Sequence, residues 1–326
     1  MNVGITAVGH YTPSLVLTNE ELVARFGLDV DAEWIESRTG IVSRHWLQPD
    51  ETTSDLVVGA ARRILDRAGR QPVDVDLLIV ATISPDYPSP ATATIAARKL
   101  GCRCPCFDLS AACAGFLYAL EIGANAVRGG AHNVLVVAAD ARSRFLDPND
   151  RRALVLFADG GAGVLLGPTT EPGLLATHTG AEGRQRMGAH IPAGGAMRPA
   201  SAATVAAGQH YLQVDGRREI FDLFIEYTRE TTDAVLERAG LTLADIDLFI
   251  THQGNARMVE AVVAALDIDP ERAVNSIAHH GNVSGATVPL ALSEAVQSGR
   301  IEAGDKVLIT SVGAGYTFGS AIYEFP

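Results

Sequence analysis

The stretch DAVLERAGLTLADIDLFITHQ (233–253) has a counterpart in ARRILDRAGRQPVDVDLLIVAT (61–82), with Asp247 standing where Asp76 stands. Each begins with apolar residues at helical spacing, reaches a glycine, crosses a polar turn and ends in a short apolar run of strand length. A second match follows, GDKVLITSVGAG (304–315) against AHNVLVVAADAR (131–142). A recurring offset of roughly 171 residues marks two copies of one supersecondary unit, one half over 1–170 and the other over 171–326. Strands alternating with helices predict an α/β fold whose sheets are largely parallel and covered on both faces. Ligands of such sheets sit beyond the carboxyl ends of the strands, so a shared site draws residues from both halves.

In the first copy, FDLSAACAGFLYAL (107–120) carries Cys113 between a short strand and an apolar helix. A sulfur at the first turn of a helix faces unpaired N–H groups and the positive dipole end, which favour thiolate and hence a nucleophile. Around it the pattern predicts strands over 77–82, 133–138 and 153–157, a Pro-rich loop SPDYPSP (84–90), and a tight turn at GGAG (160–163). Residues 185–210 are rich in Gly, Ala and Pro without a clear period, and read as a mobile entrance flap.

Composition narrows the class. A net charge of −12 argues against nucleic acid or an anionic membrane surface as a general partner. There is no signal-peptide pattern at the N-terminus and no apolar run of membrane-spanning length, so a cytoplasmic protein is expected. Of four cysteines, Cys102, Cys104 and Cys106 alternate along a strand, which suits neither a disulfide framework nor a tetrahedral zinc site; no metal is expected.

The second copy supplies polar residues at matching strand ends. THQGNAR (251–257) offers His252 and Asn255, HHGNVSGAT (279–287) offers Asn282, and SVGAGYTFGS (311–320) is a Gly-rich turn whose amides can approach a reacting carbonyl. Cys, His and Asn alone are also the residue types of a papain-type protease.

The motifs AEWIESRTGI (32–41), FDLSAACAGF (107–116), DPNDR (147–151), HQGN (252–255), HHGNVSGA (279–286) and GAGYTFGSA (313–321) are more specific. Together, and in this order over essentially the whole chain, they resemble the β-ketoacyl-acyl carrier protein synthase III family of thiolase-fold condensing enzymes. The resemblance implies a layered α-β-α-β-α architecture, a homodimer, and an acyltransferase of fatty acid or polyketide biosynthesis. It implies that Cys113 takes an acyl group from acyl-CoA, with the backbone N–H groups of Cys113 and Ala314 as oxyanion hole. Ala314 stands where the family usually has glycine. His252 and Asn282 would then stabilise the enolate of a malonyl thioester, on carrier protein or CoA, during a decarboxylative Claisen condensation. No cofactor is implied, coenzyme A entering only as a thioester substrate. Trp34 and Arg151 would sandwich its adenine, Arg38 would meet a phosphate, and Asn255 would touch the pantetheine. The rival reading is an acyltransferase moving the acyl group from Cys113 to an alcohol or amine.

Departures from the family pattern carry expectations of their own. Arg257 matches the principal carrier-docking arginine, but Ala264, Ala265 and Asp222 replace other basic positions, with Arg217 and Arg218 as compensation. Ser89 and Ala189, beside a retained Phe157, predict a wide acyl pocket, with the Ser89 loop lining the pocket of a partner subunit. Arg142 falls where a pocket-lining leucine is expected. A buried arginine wants an anion, which suggests a polar or carboxylate-bearing acyl group; the other reading turns Arg142 outward to Asp140 or Asp147.

Overall fold

The computed structural model of the chain describes residues 2–185 and 187–326. In the first half, strands β1 (Asn2–Tyr11), β2 (Leu15–Thr18), β3 (Ser43–Trp46), β4 (Leu77–Ala81), β5 (Cys106–Leu109), β6 (Val134–Ala141) and β7 (Asp159–Thr169) form a five-stranded sheet and a small two-stranded antiparallel sheet. The sheet has the order β1-β7-β6-β4-β5, and β2 pairs with β3. The second half adds β8 (Gly173–Ala181), β9 (Ala189–His190), β10 (Gln213–Val214), β11 (Leu248–Thr251), β12 (Lys306–Gly313) and β13 (Thr317–Glu324). Here the four-stranded sheet runs β11-β12-β13-β8.

Alternation along the strands sets the layers. Ile79, Val134, Val136, Leu248, Ile250, Val307 and Ile309 face one central core, packed on the helices Gly115–Arg128 and Thr287–Gln297. Their neighbours Leu78, Val80, Leu135 and Val137 point the other way, onto the helices Thr53–Ala68 and Thr92–Leu100. Phe249, Leu308 and Ile322 do the same in the second sheet, onto Arg217–Ala239 and Ala256–Ala265. Helices, sheet, helices, sheet, helices: five layers result, with two helices buried between the sheets.

Three sequence expectations change. The sheets are mixed rather than largely parallel: β4 runs parallel to β5 and β6, and β11 to β12, whereas β1–β7, β6–β7, β12–β13 and β8–β13 are antiparallel. The connection from β12 to β13 shows why, being only Ala314–Tyr316 and far too short for a helical crossover. The expected strand at 153–157 is instead a helical turn, Arg151–Leu154, capped by Asp150 and followed by a single bridge from Phe157 to Asn282. GGAG is not a turn but part of β7. A Cβ on Gly163 would lie 2.0 Å from the Val136 carbonyl oxygen, and one on Gly161 2.8 Å from that of Leu56. These glycines are what let β7 pass between its neighbours and the covering helix.

The 185–210 stretch holds more regular structure than its composition predicts. Ser201 caps a short helix, Ala202–Ala206, and β9 pairs with β10. Among the described residues no helix is long and apolar enough to cross a membrane.

Candidate active site

Cys113 sits in a single 3-10 turn, Ala112–Ala114, between the end of β5 and the helix Gly115–Arg128. Ala112 is held at φ 47°, a left-handed conformation that aims the next residue out of the sheet. The opposite half clamps this turn. The Ser311 hydroxyl donates to the Cys113 carbonyl at 2.7 Å, and the Thr317 hydroxyl donates to the Ala111 carbonyl at 2.7 Å. Gly313 is bare because a Cβ there would lie 2.7 Å from the Cys113 backbone nitrogen. The nucleophile's turn is therefore shaped as much by β12 and β13 as by its own strand.

His252 follows β11, Asn282 follows the short helix Ile277–His280, and Ala314 follows β12. The fold brings all three to Cys113. They line one cavity of about 160 Å³ together with Phe157, Ala189, Phe224, Asn255 and Tyr316. Ala314 is not among the residues at positive φ, so its methyl costs no backbone strain.

Burial dominates the electrostatics. The Cys113 thiol keeps some surface toward the cavity, yet protein surrounds it and pushes its pKa up to about 11. The hydroxyl of Ser284, 3.8 Å from Sγ, and the Arg142 charge oppose that shift without cancelling it. Burial thus works against the thiolate that a helix terminus favours. His252 is 4% exposed, and desolvation lowers its pKa to about 4, so the imidazole is neutral at physiological pH. Asn282 Oδ1 accepts from the Ser284 N–H at 2.8 Å, which leaves Nδ2, 3.4 Å from the Gly254 carbonyl, as its donor end.

The remaining candidates divide by place. Arg151 stacks its guanidinium on the Trp34 ring, 5.4 Å from the centroid, and also hydrogen-bonds Asp29. A base enters between Trp34 and Arg151 only if this contact opens. Arg151 lines an open cleft of about 750 Å³, which shares Val214 with the Cys113 cavity. Arg38 is exposed on the Trp34 helix. Asn255 caps the helix Ala256–Ala265, accepting from the Met258 N–H at 3.0 Å, and its amide borders the reaction cavity.

Arg257 is exposed and donates to the Ser37 carbonyl at 2.9 Å. Arg218 lies 4.0 Å from Asp222, which offsets its charge; the side chain of Arg217 lies outside the described residues. Ser89 is exposed and lines none of these cavities within one chain. Arg142 lines a separate cavity behind Ala189 and Ala314; it is buried rather than turned outward and forms no ion pair with Asp140 or Asp147.

The fold adds residues that motif reading passed over: Ser284 and Thr287 beside Asn282, Ser311 and Thr317 on the clamp, and Met187 and Gly188 at the cavity wall. Ser284 and Thr287 lie inside HHGNVSGAT, but only contact with Cys113 and His252 gives them meaning.

Comparison with known proteins agrees with this geometry. The family model described as 3-oxoacyl-[acyl-carrier-protein (ACP)] synthase III matches residues 107–183, and the model of its C-terminal region matches 236–325. The chain is 39% identical over 343 residues to a beta-ketoacyl-[acyl-carrier-protein] synthase III of Rhodopirellula baltica, covering 99% of this chain and 98% of that one. The solved 3-oxoacyl-(acyl carrier protein) synthase III of Pseudomonas aeruginosa PAO1 superposes with a TM-score of 0.90 at 35% identity, covering 100% and 99% of the two chains. The priming beta-ketosynthase of the R1128 polyketide biosynthetic pathway superposes with a TM-score of 0.90 at 34% identity, covering 100% and 96%. With matches of this identity over essentially the full length of both chains, this chain belongs to the 3-oxoacyl-[acyl-carrier-protein] synthase III family.

Proposed function

We propose that the protein condenses an acyl-CoA with a malonyl thioester by way of an acyl-Cys113 intermediate. The observation that carries this is the single cavity holding Cys113, His252, Asn282 and Ala314. In the first half-reaction the C–S bond to coenzyme A breaks and a C–Sγ bond forms. The proton lost by the Cys113 thiol leaves with coenzyme A as its thiol. The N–H groups of Cys113 and Ala314 meet the oxygen that becomes negative in the tetrahedral intermediate.

In the second half-reaction the malonyl thioester loses CO₂, and the electron pair left behind is delocalised onto its thioester oxygen. Asn282 Nδ2 and the His252 Nε2–H donate to that oxygen as charge develops. The carbanion attacks the acyl carbon, the C–Sγ bond breaks, the released Cys113 thiolate takes up a proton from solvent, and a 3-oxoacyl thioester departs. Loss of CO₂ supplies the carbon nucleophile, so the proposed chemistry calls for no metal or redox cofactor.

We extend the reading to coenzyme A bound along the Trp34–Arg151 cleft, with Arg38 at a phosphate and Asn255 at the pantetheine, and to a malonyl carrier protein approaching Arg257. We also extend it to a homodimer. Its support is the free edge strand β5, with Phe107 37% exposed, beside the loop carrying Tyr87, 60% exposed.

Intact-protein mass spectrometry over a panel of acyl-CoAs, followed by malonyl-CoA or malonyl carrier protein, tests the proposal. A Cys113-dependent adduct discharged as a 3-oxoacyl product supports it. An adduct discharged only to an alcohol or amine makes the protein a simple acyltransferase, and no adduct removes both readings.

A further inference from the structure

A buried cation that forms no ion pair among the described residues stands beside the reaction cavity. Arg142 follows the carboxyl end of β6 and is 2% exposed. Its Nε is buried and unpartnered, and among the described residues its guanidinium forms neither a hydrogen bond nor an ion pair. It rests on the faces of Phe145 and Phe157, 6.0 and 5.5 Å from their centroids. Ring contacts of this kind offset only part of the hydration that a charge loses on burial.

Neither acid nearest in sequence forms an ion pair with Arg142. Asp140 accepts from the Ile83 N–H at 2.9 Å, the Ser84 hydroxyl at 2.8 Å and the Thr82 hydroxyl at 3.1 Å. Asp147 accepts from the backbone and side chain of Asn149. The 83–91 loop that a second copy would present has one carboxylate, Asp86, already held by the Ser54 N–H at 3.0 Å.

Arg142 lines a cavity of about 370 Å³ whose other walls include Ile83, Met187, Ile191 and Leu212. His190 also borders it; its Nδ1 makes no hydrogen bond and lies 3.8 Å from Asp215. This cavity shares Ala189 and Ala314 with the cavity of Cys113, and Leu212 with the cleft of Arg151. A largely apolar cavity separated from that of Cys113 only by Ala189 and Ala314, with an unpaired guanidinium in its wall, suits a chain of methylenes with an anion at its far end.

We propose that this second cavity holds the distal part of the acyl group on Cys113, and that Arg142 binds a carboxylate there, so that the primer is an ω-carboxyacyl-CoA. The proposal rests on the acyl-CoA reading given above. The carboxylate takes no part in bond making; it is held through both half-reactions and leaves on the 3-oxoacyl product. An alkyl primer would fill the same space while leaving the guanidinium unpaired, and discrimination of about 100-fold or more follows from that penalty.

The test compares rates of Cys113 acylation, by intact mass, for succinyl-, glutaryl- and adipyl-CoA against alkanoyl-CoAs of equal carbon number. Wild type is expected to favour at least one dicarboxylic thioester by about 100-fold. Arg142→Leu should bring that ratio to one or below, and Arg142→Lys should retain part of it. A wild type that labels equally well or better with the alkanoyl thioesters overturns the proposal, whether or not Arg142→Leu folds. So does a dicarboxylic preference that survives in Arg142→Leu. In either case alkanoyl adducts on Cys113 leave the condensation reading standing; only the absence of every Cys113-dependent adduct removes that reading as well.

Discussion

The hydroxyl of Thr287 lies 2.7 Å from Nδ1 of His252 and 3.0 Å from the carbonyl oxygen of Ser284, so its one proton decides the tautomer of the imidazole. Given to Nδ1, that proton leaves the ring hydrogen on Nε2 and makes His252 a donor to the cavity. Given to Ser284, it leaves Nδ1 protonated and turns Nε2 into an acceptor. Condensation needs the first arrangement. Thr287→Val should therefore lower condensation by about tenfold or more, or ~1.4 kcal/mol, while acylation of Cys113 proceeds. Thr287→Ser should restore it. Equal loss in both half-reactions, without rescue by serine, would reduce Thr287 to a packing residue.

His252→Ala and Asn282→Ala each remove one of the two donors offered to the enolate. Each should cost about 100-fold or more in condensation, the usual scale for one such donor in a dry site. The acyl-enzyme should still form and accumulate, visible as a stable mass increment after acyl-CoA is added. Failure of either variant to acylate would show that the residue serves the first half-reaction instead.

Burial pushes the Cys113 thiol up to about 11, so the reactive thiolate is a minor species at neutral pH. Below that value its population rises tenfold with each pH unit. Alkylation by iodoacetamide should accelerate steadily from pH 7 to pH 9.5 with no plateau. A plateau reached below pH 8 would mean that the helix terminus and Arg142 dominate over desolvation after all.

Arg257 offers an exposed positive charge on the helix Ala256–Ala265, yet Ala264 is neutral and Arg218 is paired with Asp222. Arg257→Glu should raise KM for malonyl carrier protein about tenfold or more at low salt and leave KM for malonyl-CoA within about twofold. Equal effects on both donors would place Arg257 at the CoA cleft rather than at a carrier surface.

Much of the site was legible because its residues sit at positions where backbone rules are strict. Cys113 falls between a strand and a helix, and His252 directly follows the short apolar run LFIT. Less was legible where side chains stand in for one another across the two halves. Nothing local to Ser311 or Thr317 tells that they hold the Cys113 turn from 198 and 206 residues away. GGAG misled for a related reason. Glycine signals both turns and close packing, and only the crowding of β7 under Val136 and Leu56 tells the two apart.

By itself the sequence determined the duplication, the alternation of strands and helices, and the residue types that meet at the carboxyl ends of those strands. These depend on periodicity and on chain order, which a sequence carries in full. The tertiary structure alone decided what each group is able to do. Desolvation is a property of surroundings, so only the packed molecule raises the Cys113 pKa and keeps His252 a neutral imidazole. An absent partner is likewise a property of three dimensions. Two aspartates stand within five residues of Arg142 in the chain, and the fold gives both to other donors, leaving the guanidinium buried, without an ion pair among the described residues and facing a cavity next to Cys113.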